Sequence, residues 1–225
     1  MQPTNKPKVS SQNKYTQLLI ILITNFILTP FLQSNIGEIA LSFIFLCAII
    51  IIVKTFFLKP KLFTIYSTIA LLAFLLEIFG RWGLYESGKV TFLLSIQLVY
   101  VLYLGVAAYL ILRDILLTQQ VTIDMIRGGI CVYFLMGFVW ALLYSIAATF
   151  ESRAFSQPIF VEESFSKAIY FSFTTLTTLG YGDITPVSPL ATMLTNLEAI
   201  IGQMYPSILI AILVGSYLSQ RNEIG

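Results

Sequence analysis

Thr174-Thr175-Leu176-Thr177-Thr178-Leu179-Gly180-Tyr181-Gly182-Asp183 is the stretch that decides the fold. Glycine reaches positive φ without a steric penalty. Gly180 and Gly182 therefore let alternate residues turn left-handed, so that consecutive main-chain carbonyls aim to one side. Thr178 adds a hydroxyl to its carbonyl at the inner end, while Leu179 and Tyr181 turn their side chains away and wedge the strand. As a lone tetrapeptide in a soluble protein, Gly-Tyr-Gly-Asp reads as an ordinary turn. Here it follows a short helix-compatible stretch, Ser164 to Thr177, lies between long apolar segments, and is trailed by Pro186 and Pro189, which turn the chain back out.

Outward from this loop the composition belongs to lipid. The 225 residues are 57% hydrophobic and 11% charged, with mean hydropathy +0.87. Such a chain would aggregate as a soluble domain. A spanning helix needs about 20 mainly apolar residues, and polar breaks separate six such segments, at 16–33, 38–58, 62–80, 90–112, 128–150 and 192–218. The expected fold class is an all-α membrane protein of six transmembrane helices. Ser164–Thr177 is too short to span and is predicted to be a re-entrant helix, tolerated where protein rather than lipid surrounds it. Its carboxyl end carries partial negative charge and favours a cation in front of it.

A row of inward carbonyls has a definite chemistry. A cation crossing hydrocarbon must exchange its water shell for protein oxygens at little net cost, in single file and reversibly. One chain supplies part of such a ring, so several copies are needed.

Lysine and arginine set the orientation. With the amino terminus inside, Lys6, Lys8, Lys14, Lys54, Lys59, Lys61, Arg113, Arg127 and Arg221 are cytoplasmic, against Arg81, Lys89, Arg153 and Lys167 outside. Both termini are then cytoplasmic and the loop lies near the outer face with Glu151, Glu162, Glu163 and Asp183. These acids either concentrate cations at the mouth or merely solvate a loop, since surface charge is screened within roughly 8 Å at physiological salt.

Other functions find no support. Residues 1–15 read as a polar, disordered cytoplasmic tail. Leu18 to Leu32 continues into a span without an Ala-x-Ala site, against a cleaved signal peptide. Cys47 and Cys131 fall inside expected spans as small apolar packing residues. There is no histidine. No phosphate-binding glycine loop, zinc-ligand cluster or Ser/His/Asp set is present, and the basic residues are too few and scattered for nucleic acid. No enzyme activity, cofactor or nucleic-acid partner is expected. A secondary transporter is disfavoured by the lack of internal repeats and paired broken helices.

With these motifs in hand, the chain resembles the tetrameric potassium channel superfamily, specifically a short prokaryotic-type subunit with six spans and one pore loop. The likeness is strong over Gly128 to Leu218 and rests on span number before that. It implies a four-helix domain at 16–112 resembling a voltage-sensor scaffold, a cytoplasmic connector at 113–127, a pore domain at 128–218 and a short cytoplasmic tail at 219–225. It implies a homotetramer in a lipid bilayer, the prokaryotic inner (plasma) membrane. It also implies potassium ions coordinated by Thr178, Leu179, Gly180, Tyr181 and Gly182. Leu179 stands where relatives commonly have Val, and the carbonyl ligand there is unchanged. Asp183 occupies the position of a carboxylate that ties the filter to its pore helix. Tyr170 stands where many relatives have Trp, and a phenol donates to a carboxylate much as an indole does. The expectation is a Tyr170–Asp183 brace with Phe171 packed beside it; the alternative is an interfacial aromatic. Thr174 and Thr175 sit where relatives sometimes carry an acid behind the filter.

In the last span, Gly202 matches the resemblance's inner-helix hinge, and Pro206 removes a helical hydrogen bond. The alternative is a small residue that lets helices approach. Gln203, Ser207, Ala211 and Gly215 recur every four residues and form a small or polar stripe expected to line a cavity. Two acids lie inside expected spans. Glu77 has Arg81 four residues on, the spacing of an ion pair. Glu198, one turn before Gly202, either remains protonated in a buried hydrogen bond against the pore helix or ionises and helps the permeating cation.

Val90 to Leu112 contains no Lys or Arg, whereas each gating charge contributes about 2.3 kcal/mol per 100 mV. Steep voltage gating is therefore not expected, and with only Ser219–Gly225 after the last span no cytoplasmic ligand-binding domain is expected either. The expected function is a passive, leak-type potassium conductance. Two alternatives stand beside it, a weakly selective monovalent cation channel and a non-conducting regulatory membrane subunit.

Overall fold

The computed structural model describes residues 15–32, 34–55, 60–81, 89–117, 122–159 and 161–224. The expected tail at 1–15 lies outside the described residues except for Tyr15. Seven helices are named: α1 (Thr16–Leu28), α2 (Asn35–Thr55), α3 (Pro60–Arg81), α4 (Lys89–Leu117), α5 (Ile123–Phe150), α6 (Val161–Leu176) and α7 (Pro189–Ile224). Among the described residues the only β pairing is an isolated bridge between Phe155 and Pro186. The fold is all-α.

Among the described residues, three segments are long and apolar enough to cross a bilayer: Phe92–Leu117, Ile123–Phe150 and Pro189–Ser216. Thr16–Leu28, Ile39–Ile52 and Phe63–Phe79 are shorter apolar helices. Together they make this an integral membrane protein. The first expected span, 16–33, is cut short. Thr29 closes α1, its hydroxyl donating to the Asn25 carbonyl at 2.7 Å, and Pro30 follows without an N–H to continue the ladder. At 1.5 Å per residue α1 covers about 20 Å, against a hydrocarbon thickness of about 30 Å.

The connector expected over 113–127 is largely helical. α4 runs on to Leu117, and α5 starts at Ile123, where the Thr122 side chain accepts from the Met125 amide at 3.2 Å. Ile115 and Met125 are buried. The apolar periodicity of α4 carries straight through the boundary that Arg113 suggested.

α5 is the central helix and touches α1, α4, α6 and α7. The first four helices pack α1 on α2, α2 on α3, and α4 on both α2 and α3. Aromatic rings join this unit to α6. Phe26 of α1 lies 4.5 Å from Phe173 of α6, and Phe173 also meets Phe134 and Phe138 of α5 at 5.7 and 5.6 Å. Gly137 admits that ring, since a Cβ there would meet it at 2.5 Å. At the other end Tyr15 bolts α1 to the α4–α5 elbow, its hydroxyl donating to Asp114 at 2.6 Å and its amide to Asp124 at 3.1 Å.

Candidate functional site

α6 ends at Leu176, and the loop after it is held by its own backbone. The amide of Thr177 donates to the Phe173 carbonyl, that of Thr178 to Thr175, and that of Gly180 to Thr174, at 3.1, 2.9 and 3.1 Å. Thr174 and Thr175 both turn their hydroxyls onto the Phe171 carbonyl. Neither reaches the loop through its side chain, as threonines bonded back into their own helix do not.

Thr178, Gly180 and Gly182 have φ of 60°, 52° and 77°. Every second residue is therefore left-handed. Gly180 and Gly182 were legible as such; Thr178 was not, because a β-branched residue disfavours that region. Leu179 and Tyr181 are exposed on the single chain. The Tyr181 ring stacks on Tyr170, 6.4 Å away and 6° from parallel.

The outer end of the loop is braced from two sides. Tyr170 donates to Asp183 Oδ2 at 2.9 Å, the bond expected from the sequence. Desolvation first, then the hydrogen bond and charge of Asp183, raise the Tyr170 phenol above its ordinary value, so it remains a donor. Phe171 departs from expectation. One residue on, it points elsewhere and packs on Tyr144 and Phe155 at 4.9 and 5.3 Å. From the other side comes the segment after α5. Gln157 donates to the Asp183 carbonyl at 3.0 Å, Ser156 pairs with Thr185, and the Val187 amide meets the Ala154 carbonyl at 2.7 Å.

Leu176, at the inner end, is another meeting point. Its carbonyl accepts from the Tyr133 hydroxyl of α5 at 3.1 Å. Gly202 of α7 lies against the same residue, and a Cβ there would stand 3.0 Å from the Leu176 Cα and closer still to its oxygen. Tyr205 stacks on Tyr133 and donates to the Gly129 carbonyl at 2.9 Å. α7 runs unbroken through Gly202 and Pro206. Gln203, Ser207, Ala211 and Gly215 are all exposed on the single chain.

Glu198 is wholly buried. It accepts a hydrogen bond from Tyr144 of α5, and its other carboxyl oxygen lies 2.6 Å from the Ser172 hydroxyl of α6. An acid thus does reach the back of α6, delivered by α7 rather than by α6 itself. Tyr144 and Ser172 escaped the sequence reading because neither stands in a motif. Glu77 accepts from Ser42 at 2.6 Å and Tyr100 at 2.9 Å, joining α2, α3 and α4. The Arg81 side chain, its expected partner, lies outside the described residues. No group of three or more metal-ligating side chains occurs among the described residues.

No curated protein matches the chain, and no solved structure does. A family model described as an ion channel matches residues 128–219, the stretch from α5 through α7 that carries all of this geometry apart from Glu77. Less than half of the chain is covered by that match, and over this stretch the chain is similar to an ion channel family.

Proposed function

We propose that the protein is a potassium-selective channel, a homotetramer conducting passively and without steep voltage dependence. The observation that carries this is the left-handed backbone at Thr178, Gly180 and Gly182. Alternating handedness turns successive carbonyls to one side, and four such strands around an axis would replace the hydration shell of a cation. The coordinating oxygens are those of Thr178, Leu179, Gly180, Tyr181 and Gly182. α6 aims its carboxyl end at the inner mouth, where its partial negative charge favours a cation.

In this reading Tyr170, Asp183, Thr174 and Thr175 support the filter, with Tyr170 and Asp183 acting directly. Gln203, Ser207, Ala211 and Gly215, exposed along one stripe of α7, face the water-filled cavity. Gly202 and Pro206 allow α7 to bend. α1 to α4 form a sensor-like scaffold without gating charges, as α4 carries no Lys or Arg between Lys89 and Arg113. Potassium is cargo here.

The test is flux from vesicles holding purified protein, driven by a potassium gradient and repeated with sodium. Potassium flux well above sodium flux, lost in Gly180→Ala and Tyr181→Ala variants that still assemble, is the expected result. Equal permeability to the two ions would replace this reading with that of an unselective cation channel, and no flux of either would leave a non-conducting subunit.

A further inference from the structure

We propose that Glu198 is a proton-binding site, a neutral carboxylic acid whose proton completes a hydrogen-bonded chain through α7, α6 and α5. The inference rests on counting protons. Five oxygens of the three helices, the two of the Glu198 carboxyl among them, meet in three contacts. Tyr144 contacts Glu198 Oε2, Glu198 Oε1 lies 2.6 Å from Ser172 Oγ, and Ser172 Oγ lies 2.8 Å from the Gly137 carbonyl oxygen. Each contact requires one hydrogen. Tyr144 supplies one and Ser172 one, because a hydroxyl has a single proton to donate. The carbonyl of Gly137 has none.

An ionised Glu198 leaves the chain one proton short. Ser172 would then donate either to the carboxylate or to Gly137, and the other contact would set two acceptors face to face. With a proton on Oε1 the chain closes: Glu198 donates to Ser172, Ser172 donates to Gly137, and Tyr144 donates to Oε2. All three contacts are satisfied in one direction.

The surroundings agree. Glu198 has 0% of its surface exposed, and an isolated buried carboxylate costs far more than a neutral acid. The titratable groups that face it are Tyr144 and Tyr133, both from α5; α6 contributes Ser172, and among the described residues no lysine or arginine acts on it. Two phenols offer hydrogen bonds but no compensating charge.

The position gives the proton a consequence. Glu198 stands one turn before Gly202, which bears on Leu176 at the inner end of the loop. Losing the proton would cost Ser172 one of its two contacts, to Glu198 of α7 or to Gly137 of α5, two residues before the threonine run. That consequence for conduction rests on the channel reading, whereas the proton itself does not.

Infrared difference spectroscopy of vesicle-reconstituted protein at neutral pH, wild type against Glu198→Gln, separates the two questions without any ion flux. Glutamine is the fitting replacement, since its amide donates to Ser172 and its carbonyl accepts from Tyr144. The expected result is a neutral carboxylic C=O band, shifted in D2O and lost in the variant. A spectrum in which the substitution removes only carboxylate bands overturns the proposal. If Glu198→Gln does not assemble, Ser172→Ala serves instead. It removes the acceptor of the acid proton and must shift that C=O band, and a wild-type band that is absent or unmoved by it overturns the proposal equally.

Discussion

Gly202 of α7 lies against the carbonyl of Leu176, the residue on which α6 ends, with no room between them for a methyl group. The inner helix thus touches the base of the loop through bare backbone. A glycine here serves close approach, whatever bending it also allows.

Gly202→Ala is therefore expected to act at two levels. Overpacking of this kind typically costs about 1–3 kcal/mol, and the strain falls on the Leu176 carbonyl and its bond from Tyr133. We expect the ratio of potassium to sodium permeability to fall along with the stability of the assembled protein. A variant altered in open probability alone, with selectivity intact, would show that the contact is slack and that bending is the whole role of Gly202.

Tyr133→Phe isolates one of these contacts. It deletes the hydroxyl that reaches Leu176 at 3.1 Å while keeping the ring stacked on Tyr205. Removing one partner of a buried hydrogen bond costs about 1–3 kcal/mol. The expected outcome is a lower thermal midpoint with helix content unchanged, read by circular dichroism of the solubilised protein. An unchanged midpoint would mean that the Leu176 carbonyl is satisfied without Tyr133.

The Tyr170–Asp183 bond predicts an asymmetry between two substitutions. Tyr170→Phe loses the donor and should reduce selective potassium flux severalfold, while Tyr170→Trp keeps an N–H able to reach a carboxylate and should retain most of it. Vesicle flux under a potassium gradient reads both. Equal flux in the phenylalanine variant and wild type would make Tyr170 an interfacial aromatic with an incidental contact.

The features legible in the sequence were legible for different reasons. Gly180 and Gly182 announce positive φ because no other residue takes it so readily, whereas the Tyr170–Asp183 bond was expected from the family resemblance, Tyr170 standing where many relatives have Trp. What was hidden is tertiary. Phe26 reaches Phe173, and Tyr144 and Ser172 reach Glu198, only because α5 brings distant helices together, and an ordinary aromatic or serine in an apolar helix carries no mark of its partner. Helix ends were hidden for another reason: α4 continues past Arg113 because a single charge at a membrane edge does not interrupt an α-helical ladder. Thr178 shows the limit on the backbone side, since its left-handed φ is imposed by neighbours rather than invited by its own chemistry.

Chirality offers the sharpest test of the loop. At Gly182 an added Cβ would meet nothing within 4 Å on the chain, yet φ is +77°. Any cost of L-alanine there is therefore conformational, about 1–2 kcal/mol per residue in the left-handed region, and repeated in every subunit. D-alanine prefers that region and carries the same methyl group. A semisynthetic protein with D-alanine at position 182 should keep potassium-selective flux, while Gly182→Ala made with the L-residue should lose it. Were both to fail alike, the methyl group itself would be at fault and the backbone argument would go; were both to conduct like wild type, the left-handed turn at Gly182 would not be needed for conduction.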